Sequence, residues 1–527
     1  MYKPLTAGAF CAALITFIVF ITCKNNDFVA LDDYAYIVNN THIANPGWNT
    51  FIWSFTSVFE GNWHPLTMLS LAFDRYIWGL KPFGFHLTNM IIHCISVYIS
   101  CFVFWRILRE SASDNLSERS VAIGSIGAAL FFSLHPLRVE SVVWASERKD
   151  VLCMLFIITS ILMYFRYSDR KKKTPQITCW HFPEYYFVLS LSALALLSKP
   201  TAVSLPFILI IIDYYPLKRL KDRTSFTGAI TEKIPFGILS IIGVASTLFA
   251  QQIAMVNAPK VDVLSRLLVA CKALLFYLAA SIWPSTLMAF YKHPGNVASY
   301  AMAEYLIYAG VFSAICLLVL CFRRKHPALS AFWLFYVITV LPMLGLIQVG
   351  GQWVADRYSY LPSLAIAIFW GSLLAYFVDK FQISNKRVLA GSVISLLVSQ
   401  LILYSVLTLR QIQVWKNTDT LASRIIDYSP NQSGAPYLAR AIYRNESGRY
   451  QEALSDIGEA MKIALRNGLT RTYPETAFVQ AVILKNLARY PEALATLDWG
   501  IQACVDGAPS DAVKFRKDLV RLVENQK

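Results

Sequence analysis

The chain has 527 residues, of which 56% are hydrophobic and 15% charged, and its formal net charge is +15. Soluble domains are usually about 45 to 50% apolar, so this composition excludes an ordinary soluble protein and points to a bilayer. Nucleic acid is excluded as a partner despite the charge, because no aromatic-basic stripe or groove-reading motif accompanies it, and Lys and Arg gather on cytoplasmic loops for reasons of insertion.

In chain order, a single Lys and about nineteen apolar residues open the sequence. That is too long for a signal-peptide core and lacks a small-residue cleavage site, so it reads as a retained first span near 5 to 23. A bilayer takes about twenty apolar residues per helix. Further runs of suitable length lie near 87 to 107, 121 to 136, 149 to 167, 185 to 199, 200 to 215, 234 to 252, 302 to 322, 329 to 347, 359 to 378 and 388 to 409. Between them fall five positive clusters that should face the cytoplasm: Arg106/Arg109/Arg119, Arg166 with Arg170 to Lys173, Lys218/Arg219/Lys221/Arg223, Arg323/Arg324/Lys325 and Lys380/Lys386/Arg387.

The segment 265 to 290 is also apolar, but Lys272 and Pro284 interrupt it, and a crossing there would put Arg323 to Lys325 outside. A re-entrant or interfacial hairpin is expected instead, leaving about eleven crossings. The expected fold is therefore an all-α polytopic bundle with the carboxyl terminus outside. The only long external loop is 24 to 86, where 46 to 59 and 64 to 80 mix aromatics with polar residues and should lie in the membrane plane. The ten cysteines have no CxxC pair and no zinc spacing, so they read as small buried hydrophobes.

With sides assigned, charge collects where insertion does not favour it: Arg138, Arg148, Lys149, Lys199 and Arg357, beside Asp32, Asp33, His64, His135, Glu140, Glu147, Asp150, His293 and Asp356. Ionisable groups at a membrane boundary are expensive unless paired, and they are functional candidates by default. Structural readings stand beside this one. Arg148, Lys149 and Asp150 can be snorkelling helix ends, Lys199 an interfacial anchor, Asp356 a partner for Arg357, and Asp32/Asp33 a helix cap. His86 and His93 share a helix face and read as packed imidazoles.

Beyond Arg410 hydropathy falls, and Gly448-Arg449-Tyr450 followed by Glu452-Ala453-Leu454 returns as Ala488-Arg489-Tyr490 followed by Glu492-Ala493-Leu494. The interval exceeds the roughly 34 residues of a tetratricopeptide unit, which implies an insertion around Asn467 to Pro474. Ala441, Ala453, Ala460, Ala481, Ala493 and Gly500 stand where helix pairs would approach closely, with capping helices near 417 to 428 and 511 to 524. The division is thus 1–409, membrane domain including the 24–86 loop, and 410–527, a repeat-like helical domain.

The strings FVALDDYAYIVNN (28 to 40), WHPLTMLSLAFDRYIWGLKPFGFHLTN (63 to 89), LHPLRVESVVWASERKDVL (134 to 152), LSKPTAVSLPFILIIIDYYPLKR (197 to 219), WPSTLMAFYKHPG (283 to 295) and LIQVGGQWVADRYSYLP (346 to 362) carry a resemblance. The chain resembles the GT-C glycosyltransferases, in particular the transmembrane O-mannosyltransferases with tetratricopeptide repeats and their bacterial relatives. The resemblance implies a GT-C fold, a polyprenyl-phosphate sugar donor, and catalysis on a periplasmic or lumenal face. It also makes the acidic pair of the first external loop, Asp32 and Asp33, the catalytic signature. Relatives commonly have FYPHP where this chain has FYKHPG, so Lys292 adds a cation to that loop.

A lipid-phosphate leaving group departs without a proton, so the chemistry needs one base for the attacking hydroxyl and cations for the phosphate. Asp33 is slightly favoured over Asp32 as the base. Arg357, Arg138, Lys199 and Lys149 are the phosphate candidates, supported by His64, Glu140, His293 and Asp356. No metal motif of convincing spacing is present, and metal dependence is left open. The expected outcome is transfer with inversion to a hydroxyl, with the terminal domain a candidate recruiter of a protein acceptor. The compact loops favour a bacterial inner membrane with site and terminal domain outside. Rival readings are a lipid or polysaccharide acceptor and a non-catalytic membrane-anchored repeat scaffold. A transporter would hold its charges nearer the midplane.

Overall fold

The computed structural model describes residues 3–111, 116–252, 255, 260–347, 350–382, 386–466, 472–504 and 509–526. Two compact units result: Met1–Asn26 with Leu31–Gln413, and Asp27–Ala30 with Val414–Lys527.

The first unit begins with α1 (Lys3–Phe20) and then crosses loop one, which holds α2 (Trp48–Thr56) and α3 (Pro65–Trp78). The chain continues through α4 (Pro82–Ser111), α5 (Glu118–Leu134), the short α6 (Val139–Val143), α7 (Arg148–Lys173), α8 (Pro183–Ser198), α9 (Leu205–Tyr214) and α10 (Arg223–Ala250). Then follow α11 (Val263–Ile282), α12 (Met302–Phe322), α13 (Pro327–Val340), α14 (Ser363–Phe381) and α15 (Arg387–Val414). Side-chain caps mark several starts: Ser117, Asp222 and Asp262 accept from the backbone N–H of Ser120, Ser225 and Ser265.

Among the described residues, 8 helices are long and apolar enough to cross a membrane, or up to 9 if one bent pair is a single span. Three shorter apolar helices accompany them. The fold is therefore an all-α polytopic bundle. Glycine lets α5 and α14 touch: a Cβ on Gly124 would lie 2.5 Å from the Gly371 carbonyl, and the reverse holds for Gly371 and Gly124. Close backbone approach of this kind replaces the hydrophobic drive that lipid removes.

Two expectations change. After α5 the chain bends by 58° into Pro136–Val143, so the third span does not simply continue. The hairpin expected at 265 to 290 is instead one continuous helix, α11. Lys272 does not break it, because Glu304 pairs with its ammonium at 2.9 Å and the Tyr305 and Tyr308 rings lie 4.4 and 4.9 Å away. Both ends of α11 are tied by hydrogen bonds to other segments. Near its start, Ser265 accepts from Ala298 N–H and Arg266 donates to the Leu346 carbonyl. At its end the Ser281 carbonyl meets His135 at 3.1 Å and the Tyr404 hydroxyl at 3.0 Å. The Arg323 turn lies elsewhere, against Tyr214 at the end of α9. At 20 residues, α11 is itself one of the 8 helices long and apolar enough to cross a membrane.

A two-stranded antiparallel ribbon, β1 (Tyr291–Lys292) with β2 (Gln352–Val354), joins the loop after α11 to the one before α14.

The second unit holds α16 (Thr418–Tyr428), α17 (Ala435–Glu446), α18 (Tyr450–Arg466), α19 (Thr472–Asn486), α20 (Tyr490–Gln502) and α21 (Ser510–Gln526). The short piece Asp27–Ala30 is hydrogen-bonded to it at Lys416 and Thr418. Ala441, Ala453, Ala460, Ala481, Ala493 and Gly500 are buried where the helices pack. A Cβ on Gly500 would meet the Ala477 methyl at 2.9 Å. Most of the insertion expected around Asn467 to Pro474 lies outside the described residues.

Candidate active site

Every residue from Phe131 through Met154 is buried, although this stretch carries Arg138, Glu140, Glu147, Arg148, Lys149 and Asp150. A run of buried charge is costly unless its groups are paired, and for all of them but Arg138 the partners come from loop one, the α8–α9 turn and the segment before α14.

The bend after α5 begins this arrangement. His135 caps the turn Pro136–Arg138, α6 presents Glu140, and the turn Ala145–Glu147 leads into α7. The Asp33 carboxylate, 1% exposed, accepts from both the backbone N–H and the hydroxyl of Ser146. Asp32 points elsewhere: its side chain is 41% exposed and one oxygen lies 3.4 Å from the Lys149 ammonium. The neighbouring acids therefore do different work. Asp33 ties loop one to the bundle, and Asp32 presents a carboxylate to solvent beside a cation.

Lys149 also reaches Glu147 at 3.1 Å and lies over the Tyr36 ring at 5.4 Å. Burial pushes the Tyr36 hydroxyl up to about 12, so this ring stays a neutral phenol. Glu147 further meets Lys199 at 3.4 Å and Arg357 at 3.3 Å. Lys199, in the extended residue between α8 and Pro200, is also paired with Asp150. Arg357 is paired with Glu140, whose other oxygen accepts from the Arg357 backbone N–H at 2.8 Å. One ionic chain thus runs from Asp32 through Lys149 and Glu147 to Lys199 and Arg357.

Lys199 and Arg357 line a narrow cleft of about 20 Å³ whose other walls include Asp150, Met154, Ile157, Met343, Tyr358 and Leu361. Two cations and the Asp150 carboxylate stand at one slot with apolar side chains in its walls. Other expected site residues lie behind or beside it. Arg138 is fully buried; it donates to Ser359 at 2.6 Å and sits between the Phe132 and Tyr360 rings, so it is set in the wall of the site and does not line the cleft. Lys149 faces Asp32 and is likewise not part of the cleft lining. Asp356 accepts from the Tyr291 hydroxyl at 2.8 Å, and burial together with the nearby Glu140 pushes its carboxyl well up.

His64 is buried, and burial with the fields of Lys149 and Lys199 lowers its imidazole to about 3. His293 is held in the ribbon loop, where its backbone N–H donates to the Gly351 carbonyl at 2.7 Å and its imidazole Nδ1 accepts from the Gly295 N–H. Lys292 is exposed on β1 and does not line the cleft. Among the described residues, no three His, Cys, Asp or Glu side chains are grouped to hold a metal ion.

Glu147, Arg148 and Asp150 stand in the charged stretch of the sequence with no pattern there that assigns them a catalytic role. Arg148 is no snorkelling end: it is fully buried and bound to Asp74, Asn89, Ser70 and the Phe85 carbonyl. The one signal for Asp74 was an acid on the amphipathic helix α3. Ser146 carried none.

No family model matches the chain, and no solved structure does. Curated proteins do. The chain is 24% identical to protein O-mannosyl-transferase TMTC1 of Homo sapiens over 490 residues, which is 83% of this chain and 53% of that protein. It is 23% identical to protein O-mannosyl-transferase F38B6.6 of Caenorhabditis elegans over 471 residues, covering 85% and 61%. With human TMTC4 it shares 28% over 212 residues, or 36% of this chain and 27% of that protein. The chain spans about half the length of the human TMTC1 protein it matches. Along most of its own length, then, this membrane chain is similar to the TMTC-named protein O-mannosyl-transferases.

Proposed function

We propose that the chain is a membrane glycosyltransferase that moves a monosaccharide from a polyprenyl-phosphate donor to a protein hydroxyl, with inversion. The observation that carries the reading is the cleft at which Lys199 and Arg357 meet apolar walls, joined to the exposed Asp32 carboxylate through Lys149 and Glu147. An anionic head on a hydrocarbon tail matches the chemistry of this slot, cations for the phosphate and Met154, Ile157 and Leu361 for the first isoprene units, and the narrow slot must widen to admit it. The names of the relatives favour mannose and a protein acceptor.

The acceptor oxygen attacks the anomeric carbon, and the bond from that carbon to the phosphate oxygen breaks. The lipid phosphate leaves carrying the electron pair, and the hydroxyl proton passes to a carboxylate. Asp32 takes this role because it is reachable, whereas Asp33 is committed to Ser146. General-base help of this kind contributes about a hundred- to ten-thousand-fold. Fixed cations beside the departing phosphate add electrostatic stabilisation in a site shielded from water. Attack from the face opposite the phosphate inverts the anomeric configuration.

The division of labour extends to the whole chain: a GT-C catalytic domain over 1–409 and a tetratricopeptide-like domain over 410–527 that recruits the acceptor. Site and second domain are assigned to the periplasmic side of a bacterial inner membrane. The test incubates purified full-length protein with labelled polyprenyl-phosphate mannose and a mixture of membrane and secreted proteins. Label in protein, lost on Arg357→Ala, supports the reading. Label that enters only lipid or polysaccharide moves the acceptor class, and no transfer at all removes the enzyme.

A further inference from the structure

Glu147 meets three cations that arrive from three segments: Lys149 at 3.1 Å on α7, Lys199 at 3.4 Å between α8 and α9, and Arg357 at 3.3 Å before α14. It does not line the cleft, while Lys199 and Arg357 do, so it holds them from behind. Three like charges around one point repel, and a buried carboxylate between them is what lets them stay together. On its other side Lys149 reaches out to Asp32.

We propose that Glu147 is a positioning residue that makes these cations one unit, so that an anion at the cleft is felt at Asp32. The inference rests on the donor reading given above. A phosphate that draws the N–H groups of Lys199 and Arg357 toward itself loosens their hold on Glu147. The carboxylate then draws Lys149 in, and Lys149 slackens its hold on Asp32. Donor binding thereby releases the base, and the carboxylate is readied only when a sugar is in place.

A double-mutant cycle tests the link, with farnesyl phosphate as the probe and its binding to purified full-length protein read by calorimetry. Asp32→Asn leaves Lys149 wholly to Glu147, so it tightens binding by about fivefold in the otherwise unchanged chain. Combined with Glu147→Gln, the same substitution changes binding by less than about twofold, because the connection is gone. Glu147→Asp, which keeps the charge, retains the effect of Asp32→Asn, which a loss of packing volume alone would not predict. Equal effects of Asp32→Asn with and without Glu147→Gln overturn the inference. If Glu147→Gln does not yield folded protein, Lys149→Met replaces it in the cycle with the same expected and overturning results. Absence of binding to the unsubstituted chain overturns the donor reading itself, and the inference with it.

Discussion

Helix α7 carries two buried charge networks about 24 Å apart at 1.5 Å per residue, one at Arg148 to Asp150 and one at Tyr164. The second joins Tyr164, Asp213, Arg219, Glu232 and Lys233. The Tyr164 hydroxyl donates to both Asp213 oxygens at 2.7 and 2.8 Å, Arg219 grips Glu232 at 2.9 and 3.0 Å, and Lys233 is paired with Asp213. Its two acids and two cations close on one another, with Asp213 fully buried. The first network is built from the same residue types but stays open, with Asp32 in solvent and two cations at a cleft. Pairing alone therefore does not mark a site. What marks it is pairing that leaves one acid reachable, since the Asp32 side chain is 41% exposed against 0% for Asp213 and 10% for Glu232.

The contrast predicts opposite phenotypes. Asp32→Asn should lower transfer by about a hundred- to ten-thousand-fold while the detergent melting temperature stays put, because its side chain is already 41% exposed. Sugar transfer and thermal unfolding measured on one preparation check this, and a melting shift without loss of transfer would make Asp32 structural. Asp213→Asn should do the reverse. It leaves Lys233 and Arg219 short of a partner and costs about 3 to 5 kcal/mol of stability, with the transfer rate per folded molecule retained. A large fall in that rate would erase the distinction between the networks.

A pH experiment sharpens it further. In the folded chain His64 is lowered from 6.5 to about 3, first by burial and then by Lys149 and Lys199. Between those values the unfolded chain binds a proton that the folded chain refuses. Stability is therefore full above about pH 6.5 and falls as the pH drops toward 3, by about 1.4 kcal/mol per unit for this group. Acidification from pH 7 to pH 5 should cost about 2 kcal/mol through His64, and His64→Gln should remove that share of the acid sensitivity. Unfolding curves at the two pH values for both proteins give the comparison.

Much of this was legible before the structure. The spans announced themselves as apolar runs, and the small residues of the second unit followed from a repeat. The path of α11 was not, because Lys272 looks like an interruption until Glu304 and Tyr305 are known to neutralise it from another helix. The tasks of Asp32 and Asp33 were not either, since the partner that distinguishes them, Ser146, lies 113 residues away. Arg219 read as one more cytoplasmic positive charge; its role in the closed network depends on Asp213, which sits inside an apolar run. Charge pairing between distant segments leaves no local pattern, whereas burial periodicity does.

The smallest expected effect concerns the two repeats and serves as a control on the larger ones. Each first helix ends in the same turn. Gly448, at φ +75°, donates to the Asn445 carbonyl while Arg449 donates to that of Arg444; 40 residues on, Ala488 and Arg489 donate to Lys485 and Leu484. Ala488 adopts φ +58°, a left-handed conformation that glycine takes freely and alanine only at a cost. Ala488→Gly should raise stability by about 0.5 to 1 kcal/mol, the relief of strain exceeding the added freedom of the unfolded chain. Thermal unfolding of the whole protein reads this change. Transfer activity should stay the same, because the substitution eases one turn without touching a charge of the open network. A matching rise in activity would mean that assays of the Asp32 and Asp213 variants report the fraction of folded protein more than the chemistry of the site.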